Sequence, residues 1–185
     1  MDPSVLRPAI ESLIFSSEFP LKIESIRDIL EESDKKRIEG VLEELHREYQ
    51  NPDHGFELVR VAEGYQFRTK SRYAEWIRRL RRTRAPRLSR SSMEVLAIIA
   101  YKQPIMRAEI EAIRGVDSVS VIRTLLERRL IRILGRKDVP GRPMVYGTTR
   151  EFLQFFGLKN LSDLPTLREI EELHSEEPSP VNPQK

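Results

Sequence analysis

The side chains able to do chemistry in this 185-residue chain are few and poorly spaced for it. Cysteine is absent, which removes a thiol nucleophile, a disulfide framework and a thiolate metal site together. His46, His54 and His174 fall on a predicted helix, in a loop and near the C-terminal end; none has a second ligand at the short spacing that zinc uses. The run from Gly135 to Gly141 ends in Arg142-Pro143, not in a Lys-Ser/Thr pair opening a helix, so it is no phosphate-binding loop. Carboxylate pairs such as Glu43-Glu44 and Glu171-Glu172 sit on polar faces, where solvated charge is the ordinary reading. No catalytic, cofactor or metal site is expected. What remains is binding, and its chemistry is that of arginine.

The arginines are concentrated. Residues 1–70 carry ten basic against fifteen acidic side chains, residues 71–150 nineteen against seven, and residues 151–185 three against seven. A polyanion should therefore meet the central segment and be repelled by the first. The start, Met1-Asp2-Pro3-Ser4, lacks the basic residues and apolar run of a signal peptide, and the apolar stretch from Val95 to Tyr101 is too short to span a bilayer. A cytoplasmic protein without membrane contact is expected.

Apolar periodicity defines the elements that carry these groups. Ile10, Leu13 and Ile14 recur at helical spacing until Phe19-Pro20; Leu21, Ile26, Ile29 and Leu30 mark a second helix. Ser33 or Asp34 caps a third, carrying Ile38, Val41, Leu42, Leu45 and Tyr49. Phe56 to Val61 and Tyr65 to Phe67 flank Ala62-Glu63-Gly64, a hairpin in which Gly64 is expected at a positive-φ turn position. The order then repeats: a helix with Met93, Leu96 and Ala100 ending at Gln103-Pro104, a second marked by Ile105, Ile110 and Ile113, a third with Ile122, Leu125 and Leu126, then strands 130–134 and 144–148 around a longer wing. At an offset of 84, Pro20 meets Pro104, Ile26 meets Ile110 and Ile38 meets Ile122 without a gap, which reads as an internal duplication, although Leu45 faces Arg129.

The fold class expected is mainly α with small β wings: two tandem winged-helix units, at residues 1–70 and 91–158. A helical, arginine-rich linker at 71–90 joins them, and an acidic, proline-containing tail, partly disordered, occupies 159–185. Tyr73, Trp76, Ile77 and Leu80 form one face of the linker helix over 72–84, where core packing is favoured over base stacking. Neither third helix suits specific base readout. The first presents Glu39, Glu43, Glu44 and Glu48, and the second offers Ser118, Ser120, Val121 and Thr124 with Arg123 as its one long donor. Arg78, Arg79, Arg81, Arg82 and Arg84 leave a weak, nonspecific DNA contact open.

The second half is motif-dense: Leu88-Ser, then Met93-Glu-Val-Leu-Ala-Ile-Ile-Ala-Tyr-Lys-Gln-Pro-Ile105; Glu109-Ile with Ile113-Arg-Gly-Val116; Gly135 through Thr149; and Glu151-Phe-Leu with Phe156-Gly-Leu158. These runs closely resemble the segregation and condensation protein B family of bacteria, and the first half resembles it more loosely. The resemblance implies two winged-helix domains, homodimerisation mainly through the first, and no enzymatic activity. It further implies a place in a chromosome-condensing complex, associated with the nucleoid, in which the partner is the kleisin subunit, segregation and condensation protein A, and the ATPase heads of the SMC protein are reached through that kleisin. On this reading Val121 and Thr124 accept a partner helix, Arg123, Arg136 and Arg142 grip carboxylates, and Tyr101 and Tyr146 add contact area. Packing of Tyr146 under the wing is the alternative. Phe56, Leu58, Tyr65 and Phe67 are the dimer-interface candidates, with core packing again the alternative, and Phe152, Phe155 and Phe156 are expected to seal the second unit. The competing function is a DNA-binding winged-helix regulator.

Overall fold

Leu6, Ile10 and Ile14 recur every four residues, so they align on one helical face and close on a core with almost no exposure. They belong to α1 (Pro3–Ser16), opened by the Asp2 carboxylate, which accepts from the Ser4 N–H. The chain is seen here as a computed structural model that describes residues 2–32, 34–81, 87–166 and 168–169. α2 (Ile23–Leu30) stops where Glu31 turns left-handed, and α3 (Lys35–Tyr49) starts on Asp34, whose carboxylate accepts from Lys36 N–H. Ser33, the other cap expected, lies outside the described residues. β1 (Phe56–Val61) and β2 (Gly64–Thr69) form an antiparallel hairpin. Ile26, Ile38, Leu42, Leu45 and Leu58 complete this first core.

A short 3-10 turn, Ser71–Tyr73, leads into α4 (Ala74–Arg81). The second unit then follows: α5 (Arg90–Lys102), β3 (Ile105–Met106), α6 (Arg107–Arg114), α7 (Val119–Glu127), β4 (Ile131–Arg136), β5 (Met144–Thr148) and α8 (Arg150–Phe156). Its sheet order is β3-β5-β4, and its core is built on Leu96, Ile99, Ile110, Ile122, Leu125 and Ile131. Helix, helix, helix, hairpin therefore occurs twice, as the winged-helix reading requires.

Several expectations are corrected in detail. Ile105 is not helical: it pairs with Tyr146 across β3 and β5, because the residues after Pro104 are extended before α6 starts. Its counterpart Leu21 does the same in the first unit, bridging to Tyr65. Ile29 and Ile113 are 56% and 55% exposed; the buried residues of these two eight-residue helices are Ile26 and Ile110. Leu45 has no apolar counterpart because α7 ends at Glu127 and Arg129 adopts φ 57.

Gly64 is also corrected. The left-handed turn residues are Ala62 and Glu63, at φ 48 and 60. Gly64 matters through space: a Cβ there would sit 2.9 Å from the backbone carbons of Pro20 and Leu21, which lie alongside the hairpin. On α4, Tyr73 is half-buried, but Trp76 and Leu80 are 59% and 79% exposed, so that face is not in a core. The last residues of the expected linker helix, 82–84, lie outside the described part.

α1 and α3 are tied by polar contacts as well as by their stripes. Arg7 pairs with Glu48, and the Tyr49 hydroxyl donates to the Glu11 carboxylate. That bond, helped by burial, favours the neutral phenol and pushes the Tyr49 pKa up to about 12. A group raised in the fold contributes stability that is complete below its unfolded value, near 10, and is lost as pH climbs through about 12.

Two outcomes follow. Gly64→Ala should lower the unfolding free energy by roughly 1–3 kcal/mol in a urea titration; an unchanged midpoint would show that the hairpin does not lie on Pro20 and Leu21. In an alkaline titration read by tyrosinate absorbance, one tyrosine should resist ionisation until about pH 12, and Glu11→Gln should bring it back toward the ordinary value.

Candidate functional site

No group of three or more histidine, aspartate and glutamate side chains that could hold a metal occurs among the described residues. No described helix is long and apolar enough to cross a membrane. The third helices and wings are where a winged-helix unit presents a binding surface.

On α7 the outward row is short-chained. Val121 is half-buried against the second core, Thr124 is half-buried and donates to the Ser120 carbonyl, and Arg123 is exposed but ion-paired with Glu127 at 2.9 Å. At the wing, Arg136 donates to the Arg142 carbonyl at 3.1 Å, so it shapes the loop while both guanidinium groups stay exposed. Tyr146 is 8% exposed and belongs to the core, its ring under the sheet; it is corrected from a contact residue to a packing one. Tyr101 stands elsewhere. It borders an apolar depression of about 220 Å³ between α5 and α8, with Met93, Phe156 and Leu164, and its hydroxyl donates to the Pro165 carbonyl at 2.6 Å. None of the α7 or wing candidates lines that depression.

The hairpin of the first unit absorbs most of its own apolar residues. Leu58 is 1% exposed, Tyr65 and Phe67 are half-buried against the first core, and Phe56 packs its ring 5.0 Å from Tyr49 and 5.5 Å from Phe67. Leu58 is thus a core residue, because the pleat points it at α3. Among the described residues of this unit, Val5, Phe15, Phe19 and Ile29 are large apolar side chains more than half exposed, and Phe56 is partly so. In the second unit Phe152 seals the core, but Phe155 and Phe156 remain exposed because the short α8 turns only one side inward. Of the linker arginines, Arg78 bonds back to the Ala74 carbonyl and Arg79 pairs with Glu75; Arg82 and Arg84 lie outside the described residues, as does the side chain of Arg81.

The motifs of the second half act as positioning devices. Gln103 receives the Thr148 N–H at 2.7 Å and donates to the Thr148 hydroxyl at 3.0 Å, tying the end of α5 to β5. Glu109 accepts from Met106 N–H, and the Arg114 guanidinium bonds Ser118 Oγ and the Asp117 carbonyl, which fixes the turn into α7.

The two units also meet, which composition does not foretell. Ala62 and Glu63 at the tip of the first hairpin donate their N–H groups to the Leu158 and Lys159 carbonyls, both at 2.8 Å. Arg150 donates to the carbonyls of Pro20 at 2.6 Å and Ala62 at 3.3 Å. From the other side Arg68 donates to the Gln154 carbonyl, placing a cation at the C-terminal end of α8; loss of hydration there lowers its pKa. Ala62, a turn residue, is only 1% exposed in consequence.

Comparison with known proteins places these features. Residues 8–167 match the profile of a family described as segregation and condensation complex subunit ScpB. Segregation and condensation protein B of Syntrophotalea carbinolica is 52% identical over 179 residues, covering 97% of this chain and 90% of that protein. A crystal structure of ScpB from Mycobacterium tuberculosis is similar at 30% identity over 85% of this chain and 98% of that one, with a TM-score of 0.41. A crystallised dimer of a ScpB N-terminal domain in complex with a ScpA peptide matches at 23% identity over 42% of this chain and 95% of that one, with a TM-score of 0.39.

If the arginines hold the two units together, Arg68→Ala with Arg150→Ala should raise the radius of gyration in solution scattering by roughly a tenth while leaving the circular dichroism spectrum unchanged. An unaltered scattering profile would show that the arginines do not hold the junction.

Proposed function

The chain belongs to the family of the segregation and condensation complex subunit ScpB, and from that premise we propose that it is a non-catalytic accessory subunit of a bacterial SMC–kleisin complex. It binds the kleisin as a homodimer, reaches the ATPase heads through the kleisin, and serves chromosome condensation and segregation at the nucleoid. The first unit, near residues 1–70, carries self-association, and the second, near 91–158, carries the larger share of the kleisin contact.

The observation that carries the reading is the character of the two third helices. α3 turns Glu39, Glu43, Glu44 and Glu48 outward, and α7 turns out Ser120 and a single long donor, Arg123, in an exposed pair with Glu127. A duplex would meet like charge on the first and almost no free long donor on the second, whereas a protein segment meets carboxylates, small side chains and exposed apolar positions. Val121, Thr124, Arg123, Arg136 and Arg142 are the contact residues proposed on the second unit, with Tyr101 at its separate depression. On the first unit the exposed pair Phe15 and Phe19 replaces the hairpin as the proposed self-contact. The linker arginines contribute at most a weak, salt-sensitive DNA contact.

Size-exclusion chromatography with light scattering tests the whole reading. The chain alone should run at the mass of a dimer, and Phe15→Glu with Phe19→Glu should reduce it to a monomer with unchanged helicity. Adding the purified kleisin should give one heavier species that survives about 0.15 M salt. Nanomolar, sequence-selective duplex binding with no kleisin complex would establish the regulator instead.

A further inference from the structure

α4 is an amphipathic helix whose apolar side faces water. Trp76, Ile77 and Leu80 fall within an arc of about 100° on its circumference, and Tyr73 in the turn before continues that stripe. None of the four belongs to either apolar core. Tyr73 lies beside Gly55 at the base of the first hairpin, and its ring is 5.8 Å from that of Trp76. Ile77 is half-buried, while Trp76 and Leu80 are 59% and 79% exposed.

The rest of the helix is charged. Arg78 and Arg79 stand off the apolar arc and are exposed, the first bonded to the Ala74 carbonyl and the second paired with Glu75. The surrounding stretch, residues 71–90, carries eight arginines against that one glutamate. The charge excess therefore runs past the apolar stripe, on to Arg87 and Arg90, which are also exposed.

These two properties together select what covers the face. Nucleic acid supplies anions but no apolar medium for Ile77 and Leu80. A second copy of α4 would set eight more arginines against the first eight, with one carboxylate on each side. A fitted acidic groove on a protein would match the two exposed apolar side chains but not a charge excess that extends beyond them. A bilayer containing anionic lipid offers hydrocarbon directly beneath a continuous plane of phosphates, and so matches both. Tryptophan and tyrosine suit that boundary, where one end of the ring is apolar and the other wet. A helix lying in the headgroup plane needs no spanning segment, so the shortness of the apolar runs in this chain is no obstacle.

We propose that α4 is a surface anchor for anionic lipid, with Trp76, Ile77 and Leu80 at the acyl boundary and Arg78 and Arg79 among the phosphates. The anchor goes beyond the accessory-subunit function, and neither depends on the other. An eight-residue helix buries little apolar area, so the anionic component is required for binding.

Trp76 is the only tryptophan of the chain, so its emission reports on this face directly. The full chain is titrated with phosphatidylcholine vesicles containing about one-third phosphatidylglycerol, and binding is read by emission and by cosedimentation. The emission should move to the blue and be quenched by acyl-brominated lipid. Vesicles of phosphatidylcholine alone should give no shift, and about 0.5 M salt should reverse the one seen with anionic lipid. Leu80→Ser, at a position already in water, should weaken partitioning about tenfold, and Arg78→Glu with Arg79→Glu about tenfold or more. Lys36→Glu, an exposed cation on α3, should leave it within about twofold. An unchanged emission with anionic vesicles overturns the anchor, even if the chain cosediments, because charge alone then accounts for the binding. A blue shift that grows with protein concentration in the absence of lipid shows that a second copy covers the helix, and one produced by the purified kleisin shows that a protein does; either also overturns the proposal.

Discussion

At the tip of the first hairpin the backbone N–H groups of the buried Ala62 and the exposed Glu63 are both satisfied by the second unit. Ala62 and Glu63 take left-handed conformations, which leaves their N–H groups pointing away from the hairpin. The carbonyls of Leu158 and Lys159 accept those bonds, and Arg150 caps the Ala62 carbonyl from the same side. Because Arg150 also reaches the Pro20 carbonyl, the turn between α1 and α2 is held by the same side chain. A handful of directional contacts thus joins the two halves, and directional contacts fix orientation as well as proximity.

That junction reshapes what each unit presents. A free hairpin tip would be available to a partner; here it is covered, and the first unit offers α3. Charge then sorts the possible partners. The outer face of α3 is acidic and the cations around it are mostly matched; of the unmatched ones Arg47 and Arg60 lie near Lys159 of the second unit, while Lys36 lies apart. In the second unit Arg123 is neutralised by Glu127 while the wing arginines stay exposed.

Much of this was legible from the residues. The stripes of α1 and α3 have the helical period and are buried at Ile10, Ile14, Ile38, Leu42, Leu45 and Tyr49, with Leu13 and Val41 half-buried, and the offset of 84 survives in three dimensions through Ile26 with Ile110 and Ile38 with Ile122. The failures have a common cause. Ile29, Ile113, Trp76 and Leu80 are apolar and correctly spaced yet exposed, because periodicity shows which face of a helix is apolar and not whether anything covers it. Gly64 was legible as a special position but for the wrong reason, since close approach to Pro20 and Leu21 is a contact across the chain.

Sequence alone determined the helices, the two wings, the absence of cysteine chemistry, the acidic and basic halves and the motifs that mark the family. These are local or compositional properties, and each follows from residues near one another in the chain. Tertiary structure decided which arginines are free, which aromatics are core, and that the second unit closes over the first hairpin. Those facts rest on contacts such as Arg150 with Pro20 and Arg68 with Gln154, between groups far apart in sequence. No local pattern records such a pairing, because a hydrogen bond depends on where two groups are brought together in space and not on their neighbours along the chain.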